Sequence, residues 1–98
     1  MNAGKYTEAI ELYTLALEMD KHNIKLNVIL YANRGLAYSK KSEHSNAIKD
    51  FDRSIELDNR YFKAYLRRGD SKSAQGDFDS ACADYQKVME LDPTQNLR

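Results

Sequence analysis

The sequence has no tryptophan, one proline, one cysteine and four glycines in 98 residues. So few breakers of regular structure argue for long helices joined by short turns, and against an all-β fold with its many turns. The lone cysteine, Cys82, excludes a disulfide scaffold and any zinc site of the C-x-x-C kind. The longest apolar run is five residues, Val28 to Ala32, far short of a membrane span. No positively charged leader precedes an apolar stretch, so no signal peptide is expected and the default compartment is the cytoplasm. Neither His22 nor His44 has a second ligand beside it, so no metal is expected. No Ser/His/Asp or Cys/His set, phosphate loop or pair of acid/base carboxylates can be assembled, so neither catalysis nor a cofactor is expected. Fifteen basic and fifteen acidic residues cancel, which speaks against a general nucleic-acid binder. What the chain does have is 42% apolar residues, enough for one small helical core and too much for a disordered segment.

It also has an internal period. Aligning Gly35 with Gly69 places Tyr31 on Tyr65, Arg34 on Arg68, Ala47 on Ala81, Phe51 on Tyr85, Leu57 on Leu91 and Asp58 on Asp92, thirty-four residues apart and without a gap. A partial copy precedes these two. Tyr6, Ala9, Ile10, Tyr13, Leu17 and Asp20 match Phe78, Ala81, Cys82, Tyr85, Met89 and Asp92. Ala9 and Ala47 are thirty-eight apart, so four extra residues extend a helix expected to start near Leu26.

Each copy reads as two helices. In the last, the pattern predicts Tyr61 to Gln75, stopped by Gly76-Asp77, and then Asp79 to Leu91, ended by Asp92-Pro93. Ala81, Tyr85, Val88 and Met89 form the apolar stripe of that second helix. The glycines at 35 and 69 and the alanines at 9, 47 and 81 mark close helix approaches. Cys82 falls in the slot of Ile10 and Ile48 and is expected to be buried. His44 falls at the turn, in the slot of Tyr6 and Phe78, where packing is its expected role.

These residues resemble the tetratricopeptide repeat (TPR) family, whose pattern Gly69, Gly76-Asp77-Phe78, Ala81 and Pro93 supply in full. The middle copy departs at Ser42-Glu43-His44 and at Asn59. The resemblance implies an all-α, right-handed superhelix of antiparallel helix pairs, A and B. The first copy begins at its expected A–B turn, Gly4-Lys5-Tyr6, with no A helix before it. Five helices are therefore expected in a single domain, a fragment of a longer protein. Residues 1–27 form a partial repeat one, 28–61 repeat two and 62–95 repeat three.

Charge divides by layer. The A segments carry nine basic residues, among them Arg34, Lys40, Lys63, Arg67, Arg68 and Lys72, against Asp70 alone. The B segments are strongly acidic. In a TPR superhelix the A helices line the concave groove, so the resemblance implies a basic groove on an acidic shell and an acidic ligand. Solvated helix faces that keep a solenoid soluble are the plainer account of the same pattern.

Three groove residues favour the ligand. Lys63 and Arg67 are four apart and share a helix face. Asn33 occupies in repeat two the slot that Arg67 occupies in repeat three. The set resembles the dicarboxylate clamp of TPR co-chaperones, which holds the Glu-Glu-Val-Asp tail of the 70- and 90-kDa heat-shock chaperones. The last TPR block of J-domain co-chaperones of the C subfamily is the most similar variant. The clamp has five residues. Asn33, Lys63 and Arg67 match three, and the other two would precede Met1, Asn2 standing too late to serve. Leu36, Lys40, Leu66 and Asp70 are further candidates for the groove lining. RNA is disfavoured, since helical repeats that read it follow another pattern. The competing reading is a structural or self-associating segment. Ile10, Leu12, Tyr13, Leu15 and Leu17 would be partly bare on the first helix, and a homodimer through it is expected.

Overall fold

The chain is described by a computed structural model over residues 3–94; Met1, Asn2 and residues 95–98, including the last position of the third repeat, lie outside the described residues. Five helices follow one another: α1 Ala3–Met19, α2 Ile24–Lys40, α3 His44–Leu57, α4 Phe62–Ala74 and α5 Phe78–Leu91. Turns of three or four residues join them, so successive helices must run antiparallel.

The start and stop signals are local. Asn23 caps α2, its Oδ1 accepting from Leu26 N at 3.1 Å, and this starts the helix two residues before the expected Leu26. Asp77 caps α5 in the same way, accepting from Ser80 N. At the ends of α2 and α4 the chain turns through a left-handed residue, Gly76 at φ 83° and Ser42 at φ 63°. In both, the next amide reaches back five residues, Glu43 N to Tyr38 O and Asp77 N to Lys72 O, each at 2.9 Å. The departure from glycine at Ser42 therefore leaves the turn unchanged. Asn59 in place of proline also changes nothing, because α3 and α5 both end at an extended aspartate, Asp58 and Asp92.

The first copy differs from its reading. Gly4-Lys5-Tyr6 is no turn but lies inside α1. Lys5 stands where Asp77 stands, and an ammonium cannot accept from the backbone amides that would start a helix there.

The small residues lie where helices meet. Ala47 and Ala81 are buried, and a Cβ at Gly35 would lie 2.7 Å from the Phe51 ring, one at Gly69 2.8 Å from the Tyr85 ring. Phe51, Val88, Ala64, Val28 and Leu17 complete the core. The inner helices α2 and α4 touch, whereas α1, α3 and α5 approach one another nowhere closely. A shorter inner row and a splayed outer row give the stack its curvature, concave on the α2–α4 side.

Two burial expectations fail on α5. Cys82 is exposed, and Met89 is 51% exposed although Ala81 and Val88 on the same helix are buried. The slot of Cys82 is half-buried at Ile10 and Ile48, on helices that a further A helix follows. No helix follows α5 among the described residues.

Candidate functional site

The concave side carries a cleft of about 380 Å³ between α2 and α4. Its lining is Ala32, Asn33 and Leu36 from α2, Lys63, Leu66, Arg67 and Phe62 from α4, and Tyr61 before it. The cleft brings together Asn33, Lys63, Arg67, Leu36 and Leu66. Lys40 and Asp70 lie outside its lining, both exposed. Tyr61, Phe62 and Ala32 were not anticipated. Phe62 and Leu66 are four apart, and that spacing next to Lys63 was the available signal. Burial raises the Tyr61 phenol above its ordinary range.

The polar groups of the cleft differ in how far they are engaged. Among the described residues Lys63 makes no ion pair and Asn33 no side-chain hydrogen bond to the protein. Arg67 Nη1 is 3.6 Å from Asp70 Oδ2, with both side chains half-exposed. Such a pair is weak and leaves the guanidinium available. An ammonium, a guanidinium and an amide against apolar walls suit a carboxylate attached to an aliphatic residue.

The even basic lining implied by the charge count does not exist. Arg34 turns away from the groove to Asp50 on α3, with Nε to Oδ2 and Nη2 to Oδ1 both at 2.7 Å. Its Nη1 donates to Thr14 on α1 at 3.1 Å. Arg68 repeats the arrangement one period later. It grips Asp84 on α5 at 2.9 and 2.7 Å and reaches Asp52 on α3 at 2.8 Å. Each arginine thus ties its own B helix to the preceding one, and each lies over a tyrosine ring of its helix, Tyr31 or Tyr65, at 5.5 Å. The side-chain hydrogen bonds to Asp50 and Asp84 hold both guanidiniums more firmly protonated than usual. Lys72 also faces Asp84, at 3.4 Å. Three of the nine expected cations are therefore structural, and of the others Lys63 and Arg67 line the cleft.

A second cleft of about 530 Å³ lies between α1, α2 and α3, lined in part by Tyr31, Arg34, Arg53 and Glu56. Both its arginines are engaged with Asp50, Arg53 Nη1 at 2.7 Å from Oδ1. Among the described residues no three His, Cys, Asp or Glu side chains gather to hold a metal ion. No helix there is long and apolar enough to cross a membrane.

The chain is 44% identical over 91 residues to DnaJ homolog subfamily C member 7 of Mus musculus, covering 93% of this chain and 18% of that protein. It spans, then, about a fifth of that relative's length. Among solved structures it resembles the first TPR of Spaghetti (RPAP3) bound to the HSP90 peptide SRMEEVD, with a TM-score of 0.86, 36% identity, and 96% of this chain and 71% of that one covered. It also resembles the second TPR domain of human RPAP3 in complex with the HSP70 peptide SGPTIEEVD, with a TM-score of 0.84, 38% identity, and 96% and 74% covered. One model of the tetratricopeptide repeat matches residues 28–61, and another matches residues 1–23 and 62–95. With these matches and its stack of paired helices, the chain belongs to the tetratricopeptide repeat family.

Proposed function

We propose that the chain is a protein-interaction module of a cytoplasmic co-chaperone, and that its α2–α4 cleft binds the acidic C-terminal tails of 70- or 90-kDa heat-shock chaperones. The observation that carries the reading is the shared cleft of Asn33, Lys63 and Arg67, beside the apolar Leu36 and Leu66. Structures at 36% and 38% identity hold peptides ending in Glu-Glu-Val-Asp, which supports carrying that ligand class to this chain. Lys63 and Arg67 would neutralise the terminal carboxylate and the Asp side chain, and Asn33 would donate without adding repulsion between the cations. The reading assigns the chain no catalysis. Titration with SRMEEVD tests it. Lys63→Ala and Arg67→Ala should each weaken binding about tenfold, since a charge-assisted hydrogen bond contributes roughly 1.5–3 kcal/mol. Unchanged affinity in both variants would overturn the assignment.

A second reading is self-association through α1. Leu12 is 66% exposed, Leu15 56% and Met19 85%, a concentration of apolar surface on one helix that a second copy could cover. Sedimentation across a concentration series tests it, and a chain that stays monomeric throughout would overturn it.

A further inference from the structure

The stripes of α2 and α4 that run through the cleft and beyond its lining match position for position. Ile29, Asn33 and Leu36 correspond, thirty-four residues on, to Lys63, Arg67 and Asp70. Each stripe has the i, i+4, i+7 spacing of one helix face. The α2 stripe carries no charge, an amide between two aliphatic residues. The α4 stripe reads cation, cation, anion. Beneath them a second pair changes in step, Phe51 under Gly35 becoming Tyr85 under Gly69. The added phenol donates to Asp70 Oδ1 at 2.7 Å, while Asp70 Oδ2 faces Arg67 Nη1 at 3.6 Å. A Tyr85 hydroxyl under a leucine would have no acceptor there, and Asp70 over a phenylalanine would have no donor to fix it. The two replacements together hold a carboxylate in place at the end of the cationic stretch.

We propose that Asp70, held by Tyr85, is a specificity-determining residue of this groove: it ends the anion-binding stretch at Arg67 and favours a neutral or basic ligand residue, over an acidic one, where the ligand passes it. The inference rests on the acidic-tail reading and narrows it to short acidic termini, as against long polyanionic runs. Asp70 lies about 4.5 Å along the helix axis from Arg67, little more than one residue of extended peptide. A ligand carboxylate held by Arg67 therefore has its neighbouring residue within reach of Asp70. A carboxylate there meets a like charge, and an ammonium meets an opposite one. The same aspartate competes for the Arg67 guanidinium in the absence of ligand.

The test is a peptide scan on the full 98-residue chain and on Asp70→Asn. The asparagine keeps the size of the side chain and an acceptor for the Tyr85 hydroxyl, and its folding is checked by thermal unfolding. In the host peptide SRMEEVD, each residue before the last is replaced singly by Glu or by Lys. At one position the unsubstituted chain is expected to prefer Lys over Glu by about two- to fivefold at low salt, the range of a half-exposed charge pair. Asp70→Asn should erase that preference at that position and leave the others, and should tighten the parent peptide by about twofold. Raising the salt should shrink both effects. An unchanged ranking in Asp70→Asn, with binding still sensitive to Lys63→Ala, would overturn this inference and leave the acidic-tail reading standing. Failure of every peptide to bind in a Lys63-dependent way would overturn both.

Discussion

A carboxylate with no solvent exposure, Asp50, sits between the guanidiniums of Arg34 and Arg53. Removing one partner of such a cluster leaves the other charge desolvated and unpaired, a loss that runs to several kcal/mol. Asp50→Ala should destabilise the fold by about 3 kcal/mol in urea unfolding, and a change under 1 kcal/mol would contradict the pairing. The backbone at Ser42 points the other way. Its φ of 63° is costly for a residue with a Cβ, so Ser42→Gly should stabilise by about 0.5–1 kcal/mol, read as a higher urea midpoint with an unchanged slope. Tyr85 supplies a pH dependence. Burial first, then its hydrogen bond to Asp70, push its phenol up to about 12 from 10. Below pH 10 the phenol is neutral in both folded and unfolded chains, and its contribution is fully present. Above that the unfolded chain loses the proton first, so stability falls as pH rises from 10 through 12. Tyr85→Phe should flatten that fall, and an identical pH profile would refute the assignment. At this scale the sequence was partly legible. The repeat marked Arg34 and Arg68 as equivalent, and Lys63 with Arg67 as neighbours on a face. Counting charge by helix then failed because a helix has more than one side. Arg67 and Arg68 are adjacent in sequence and about 100° apart around the axis, so one lines the cleft and the other grips Asp84.

At the scale of elements, the repeat located α4 and α5 to within one residue at each end and the start of α2 to within two, the reach of capping signals that compete locally. Asn23 moved the start of α2, and the absence of an acceptor at Lys5 removed the expected turn in α1. Burial on α1 and α5 was less legible, since it depends on which helix packs against a face and not on the face itself. Cys82 shares its slot with two half-buried isoleucines and is still exposed. Among the described residues α1 contacts α2 alone, whereas α3 is packed between α2 and α4. Local opening should therefore cost less at α1. Amide exchange is expected to be faster at Thr7 to Leu15 than at Ile48 to Ile55. Equal protection in a chain shown to be monomeric would contradict this packing account.

For the whole molecule, a net charge of zero conceals an ordered distribution. Much of the positive charge of α2 and α4 is spent between layers, on Asp50, Asp52 and Asp84. Within the cleft, what stays accessible is the pair Lys63 and Arg67 beside apolar walls. Such a site has the chemistry that the proposed ligand needs, a carboxylate at a chain end next to an aliphatic residue. It does not suit an extended anion such as a nucleic acid, which needs charge along its length. The proposed function requires that the terminal carboxylate itself be recognised. Titration of SRMEEVD with a free terminus against the same peptide amidated, at low and at physiological salt, tests it most directly. The amide should bind about tenfold more weakly or worse, and the gap should narrow but persist as salt rises. Equal affinity of the two peptides at both salt concentrations would contradict the account.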